Sequence, residues 1–242
     1  MSLIVPNWSV PVNVRACSST RKGGVSQAPW NSLNLGDHVG DDPEHVRVNR
    51  QRLLELGDLP SMPRWLEQVH GTDVLPLSWQ TPASLRADAA YTRTPGVVCA
   101  VMTADCLPVL FCSQDGQEVA AAHAGWRGLC NGVLEETLNA FSASPAEISV
   151  WLGPAIGPNA FEVGPEVREA FIAQNPGDSA AFRPAGEKFY ADLWLLAKQR
   201  LQACGVRQVW GGGQCTHTQA EQFFSFRRDG VTGRMASLIW LI

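Results

Sequence analysis

No apolar run in this 242-residue chain approaches the roughly 20 residues needed to cross a bilayer. Residues 1–11 hold no basic segment followed by an apolar stretch. Both absences predict a cytoplasmic protein without a membrane partner. Charge of one sign is also lacking: the net charge is −4 with no block of like charges, which argues against a nucleic-acid partner. The seven cysteines are an odd number without C-x-x-C spacing, which fits reduced thiols rather than a secreted disulfide framework. Cys17, Cys99, Cys112, Cys130 and Cys204 read as small core residues. There are five histidines and no His-x-His pair, which argues against a multicopper centre, and the H-x-E and P-C-x-x-C signatures of cytidine-type deaminases do not occur. What is present is 45% apolar and 17% charged residues, enough for one large core and a single domain over residues 1–242.

Turn formers divide the chain into alternating strands and helices. Residues 10–18 read as a strand running into a loop at 18–26, a surface turn or an anion loop with two glycines. Asp42 ahead of Pro43 predicts a capped helix through residue 56, ended by Gly57. His38 and Asp41 read as turn and cap residues rather than ligands, and His45 as exposed. Residues 65–69 are expected to be a short strand delivering His70 just before Gly71. The polar connection 80–88 ends in Asp88, either a loop acid or a group orienting a ligand. Strands follow at 89–93 and 97–102. The loop Ser113-Gln114-Asp115-Gly116-Gln117 predicts a hairpin whose strands pair antiparallel and bring Cys106 to His123. Leu129, Val133, Leu134, Leu138 and Phe141 fall at helical spacing. A strand at 148–152, a rigid pocket-wall loop at 153–158, helices at 165–174 and 192–204, and a last strand at 236–241 complete the pattern. Residues 175–188 are expected to form an exposed excursion, and 209–229 short strands and loops. This interleaving predicts a mixed α/β (α+β) fold with mixed sheets.

His70, Cys106 and His123 are the residues with chemistry to offer. Two imidazoles and a thiolate suit Zn²⁺ with a fourth position open, where an acidified water would supply a nucleophile. The same Cys106 and His123 would serve a Cys-His hydrolase as nucleophile and base. His₂Cys with a weak Met, here Met102, describes a copper site. A non-enzymatic module closed by a fourth ligand, Cys215 or His217, is the remaining alternative.

Thr20-Arg21-Lys22-Gly23-Gly24-Val25-Ser26, Ser32-Leu33-Asn34-Leu35-Gly36, Gln68-Val69-His70-Gly71, Ala104-Asp105-Cys106-Leu107-Pro108, His123-Ala124-Gly125-Trp126-Arg127-Gly128 and Phe223-Phe224-Ser225-Phe226-Arg227-Arg228-Asp229 together resemble the YfiH-type family. That family is also called the laccase-domain or multicopper polyphenol oxidase family. The resemblance covers nearly the whole chain. It implies a four-layer α/β/β/α sandwich related to the catalytic fold of cytotoxic necrotizing factors. It implies a zinc site at His70, Cys106 and His123, with copper as the alternative metal. It also implies phosphorolysis of adenosine, inosine and methylthioadenosine, with adenosine deamination alongside. Its older label implies a copper-dependent polyphenol oxidase. Purine nucleosides and phosphate are then the partners, and the protein is expected to be a monomer or weak homodimer. On that reading Arg127 and Arg227 are candidate phosphate contacts, Asp105 a candidate for proton transfer or for orienting a ligand histidine, and Asn34 a candidate contact to base or ribose. Phe226 departs from the tyrosine expected in many relatives.

Overall fold

The computed structural model describes residues 3–80 and 82–242, so Thr81 in the expected polar connection, and the first two residues, lie outside it. The chain opens with strand β1 (Val14–Ser18) and helix α1 (Pro43–Leu56). Asp42 caps α1 by accepting from the Glu44 N–H, and Gly57 closes it. Strands β2 (Val74–Pro76), β3 (Ala89–Thr92), β4 (Val98–Thr103), β5 (Leu107–Ser113) and β6 (Val119–Ala124) follow. Helices α2 (Trp126–Asn131) and α3 (Val133–Asn139) come next, then β7 (Ile148–Leu152), β8 (Glu162–Val163) and α4 (Pro165–Gln174). The chain continues through β9 (Phe182–Ala185), β10 (Lys188–Ala191), α5 (Leu193–Ala203), β11 (Gln208–Gly211), α6 (Phe226–Asp229) and β12 (Met235–Leu241).

Two sheets stack through period-two alternation. Strands β1, β12 and β4 form a three-stranded antiparallel sheet, and β11-β7-β5-β6-β3-β2 a mixed six-stranded one. In β5, Leu110 and Cys112 face the layer between the sheets while Leu107, Val109 and Phe111 face the opposite side. In β4, Cys99 and Val101 face that same central layer, and Val98 and Ala100 point outward. Leu53 of α1 covers the outer face of the three-stranded sheet, and Leu134 of α3 and Leu196 of α5 cover the outer face of the six-stranded one. The result is the four-layer α/β/β/α arrangement, with the central strands of both sheets buried on both sides.

Five local expectations are corrected. Residues 65–69 make only one bridge, Glu67 with Arg86, rather than a strand. The helix expected after Gly128 starts earlier, at Trp126, and is divided at Gly132, whose φ of 103° ends α2. Residues 175–188 are not a free excursion: Asp178 and Phe182 are buried, and β9 joins β10 and β8 in a small sheet. Phe226–Asp229 is a short helix, not a strand. His45 is half-buried. No helix among the described residues is long and apolar enough to cross a membrane.

Candidate functional site

The chain leaves the three-stranded sheet at Thr103 and enters the six-stranded one at Leu107, so Ala104-Asp105-Cys106 is a corner at the open end of the space between them. Across the predicted hairpin, Pro108 pairs with His123 and Leu107 with Ala124. His123 follows Val119 and Ala121 on the face turned toward the other sheet. His70 arrives from the loop before β2, with its backbone in the left-handed region at φ 61°. The outcome is one group of donor atoms, His70, Cys106 and His123, all within 4.8 Å of one another. Cys106 Sγ lies 3.9 Å from His70 Nε2, and the two imidazoles meet edge to face.

Asp88 organises this group. It is fully buried and accepts hydrogen bonds from the backbone N–H groups of Val69 (3.1 Å), His70 (2.9 Å) and Gly71 (2.7 Å). Its Oδ1 also accepts from His123 Nδ1 at 2.8 Å, leaving the other ring nitrogen for Cys106. Burial raises the Asp88 carboxyl, but these donors more than offset it and hold it below its ordinary value. The Cys106 thiol is likewise raised by burial, yet His123 and His70 draw it down to about 6. Burial lowers His123, and Cys106 and Asp88 lift it to about 9. Cys106, His123 and Asp88 thus form one line of mutually stabilising groups, in which each neighbour favours the charged form of the next.

The residues fit a metal ion. Gly125 carries no side chain where a Cβ would stand 2.9 Å from His70 Cδ2 and 3.0 Å from Cys106 Sγ, so only glycine leaves the cradle open. A Cβ on Gly128 would lie 2.9 Å from the Gly71 carbonyl, so the start of α2 packs directly on the His70 loop. Two imidazoles and a low-lying thiol are the donor set of a borderline-soft divalent ion with an open position. One such group is found among the described residues.

The donors face a cleft of about 320 Å³ whose wall includes His38, Gln68, Met102, Phe226 and Arg234. Gln68 is pinned to both the N–H and the carbonyl of Met102. The other expected site residues have other surroundings. Asp105, at φ 96°, accepts from the Thr216 hydroxyl (2.6 Å) and the Arg227 N–H (2.7 Å), and the carboxylate bonded to His123 is that of Asp88. Asn34 is fully buried, its amide bonded to Gly36, Asp41 and the Arg234 N–H, so it braces a wall residue and is absent from the wall itself. Arg127 is exposed, 4.5 Å over the Trp126 ring. Arg227 is exposed too, donating to the Glu162 carbonyl at 2.7 Å. Neither arginine lines the cleft. Cys215 accepts from the Gly157 N–H, away from the three donors. Arg234 is a wall residue that the sequence does not single out. A lone cation before an apolar strand is its only signal, and sheet ends commonly share that pattern.

The family described as multi-copper polyphenol oxidoreductase laccase matches residues 15–242. Purine nucleoside phosphorylase YfiH of Escherichia coli (strain K12) is 65% identical over 240 residues, 99% of each chain. A purine nucleoside phosphorylase of Haemophilus influenzae is 52% identical over 243 residues, again 99% of each. Among solved structures, Neisseria meningitidis protein NMB0706 superposes with a TM-score of 0.96 at 49% identity, covering 100% of this chain and 99% of that one. YlmD from Geobacillus stearothermophilus gives 0.89 at 33% identity, over 95% and 92%. Matched end to end by such relatives and by the family model, the chain belongs to the laccase-domain family of YfiH-type proteins.

Proposed function

We propose that the protein is a zinc-dependent purine nucleoside phosphorylase, splitting adenosine, inosine and methylthioadenosine with phosphate and deaminating adenosine as a side activity. The observation that carries this is the convergence of His70, Cys106 and His123 on a cleft that also presents Phe226 and Arg234. Relatives of high identity are named purine nucleoside phosphorylases. The whole chain acts as one catalytic unit, a cytoplasmic monomer or weak homodimer.

In phosphorolysis a phosphate oxygen bonds to ribose C1′ as the C1′–N9 bond breaks, and its electron pair passes to the purine with a proton. In deamination water adds at C6 and ammonia leaves. A zinc ion, when bound, supplies Lewis acidity to these oxygens. His70, Cys106 and His123 would hold it, and Asp88 would keep His123 in the ligating tautomer and orientation. Phe226 offers an exposed ring to the base, and Asp105 keeps that helix in place through the Arg227 N–H. A direct proton-transfer role for Asp105, and phosphate contacts from Arg127 and Arg227, require those groups to turn toward the bound substrate.

Metal-analysed protein incubated with adenosine, with and without phosphate, is the test. Adenine and ribose 1-phosphate are expected only with phosphate, and inosine in either case. Absence of all three, with C106A indistinguishable from wild type, overturns the proposal. A second reading, a Cys-His hydrolase, draws on the Cys106–His123–Asp88 chain. It requires full activity in metal-free protein, and stoichiometric alkylation of Cys106 that abolishes that activity.

A further inference from the structure

Arg234 is the one lysine or arginine in the wall of the cleft. Its Nη1 donates to the carbonyls of Thr232 (3.2 Å) and Gly233 (3.1 Å). Among the described residues its Nε and Nη2 have no hydrogen-bond partner, and no carboxylate lies within ion-pair distance. Three other withdrawn arginines are paired, Arg50 with Asp37 at 3.2 Å, Arg200 with Glu135 at 2.9 Å and Arg228 with Asp229 at 2.7 Å. Half-buried Arg21, Arg52, Arg64 and Arg168 have no such pair among the described residues and lie outside the cleft wall, so it is the place of Arg234 in that wall that distinguishes it. Two carbonyls and the Phe226 ring, 5.9 Å from the guanidinium carbon, offset part of its desolvation, and no anionic side chain among the described residues completes it. Nε and Nη2 form the fork that grips two oxygens of a tetrahedral oxyanion at once.

The placement of this fork is constructed. The Arg234 N–H donates to Asn34 Oδ1 at 2.9 Å, and Asn34 is itself held by Gly36 and Asp41. The side chain runs past Gly36, where a Cβ would stand 2.8 Å from Arg234 Cγ. The Ser32-Leu33-Asn34-Leu35-Gly36 turn is thus a brace that aims a cation into the cleft. Burial disfavours the charge on Arg234, and the negative potential of Cys106 and Asp105 acts against that effect.

We propose that Arg234 holds the inorganic phosphate co-substrate, gripping two of its oxygens through Nε and Nη2 beside the His70–Cys106–His123 group. The assignment rests on the phosphorolysis reading for its ligand, and on the unpaired fork for its site. Zinc-loaded wild type, R234M and R234K are compared by calorimetric titration with inorganic phosphate alone, and by kinetics varying phosphate and nucleoside separately. R234M is expected to weaken phosphate binding and raise the phosphate KM by about 10- to 100-fold, the range for one charge-assisted contact. The nucleoside KM should stay within about twofold, since the fork grips phosphate and leaves the nucleoside to other residues. R234K, which keeps the charge without the fork, should fall between.

Unchanged phosphate binding in a metal-replete R234M, or a change confined to the nucleoside KM, overturns the assignment. Wild type that binds phosphate through Arg234 yet splits no nucleoside defeats phosphorolysis and leaves the anion site standing. Wild type that cleaves nucleosides yet binds no phosphate overturns the site. Should R234M fail to fold, R234K carries the test, and a wild-type phosphate KM in R234K refutes the fork.

Discussion

The antiparallel pair β3 and β6 ends twice in a similar device, and only one end faces a cleft. At one end buried Asp88 gathers the backbone N–H groups of residues 69–71 and accepts from His123. At the other, buried Glu118 gathers the N–H groups of Ser142 (2.9 Å) and Ala143 (2.9 Å) and accepts from Tyr91. Both carboxyls are held low by these donors against the effect of burial. The thiols nearby diverge: Cys112 is pushed up to about 12 by burial, whereas Cys106 is drawn down to about 6 by two imidazoles. An anchored carboxylate is therefore a structural device in itself. It becomes chemical where its partner is an imidazole and the next side chain is a thiol at an open corner.

Breaking the donor set should separate the two ends most completely. C106A is expected to abolish metal binding and nucleoside cleavage, whereas C112A leaves both at wild-type level and costs about 1–2 kcal/mol of stability. Metal analysis, turnover and denaturant melts read these outcomes. G125A should come next, with metal stoichiometry well below one per chain in a protein that still melts cooperatively, because its Cβ would enter the cradle.

Replacing each acid by its amide separates the two ends in turn. D88N is expected to lower metal affinity or turnover by about 10- to 100-fold, the effect of losing a group that orients a ligand. E118Q should leave turnover unchanged and cost about 1–3 kcal/mol in chemical melts. The smallest effect is one of pH. Burial raises the Glu118 carboxyl, and Ser142, Tyr91 and Ala143 bring it below its ordinary 4.5, so the unfolded chain takes up the proton first. The stability this contributes is present above the unfolded value and lost as pH falls through the folded one. E118Q should accordingly flatten the acid limb of the stability curve between about pH 6 and about pH 3.

Much of this frame is legible in the residues alone, wherever local chemistry decides the outcome. Asp42-Pro43 and Gly57 bound α1 because cap and stop signals act within a few residues. The 113–117 loop brings Cys106 to His123 because a hairpin needs only short-range turn chemistry. The division at Gly132 is hidden, since the apolar spacing runs unbroken past it. Asp88 reads equally well as a loop acid, because its three backbone donors come from residues 69–71, and nothing local reveals them. Asn34 and Arg234 are 200 residues apart in sequence, so neither the brace nor the cation it aims shows in a linear pattern.

Whether bound zinc drives the reaction is read by titrating zinc into metal-free protein while following adenosine cleavage with phosphate present. Activity is expected to rise in proportion to bound zinc and to level off at one ion per chain, with C106A flat throughout. Full activity in the metal-free protein, or in metal-free C106A, would contradict it.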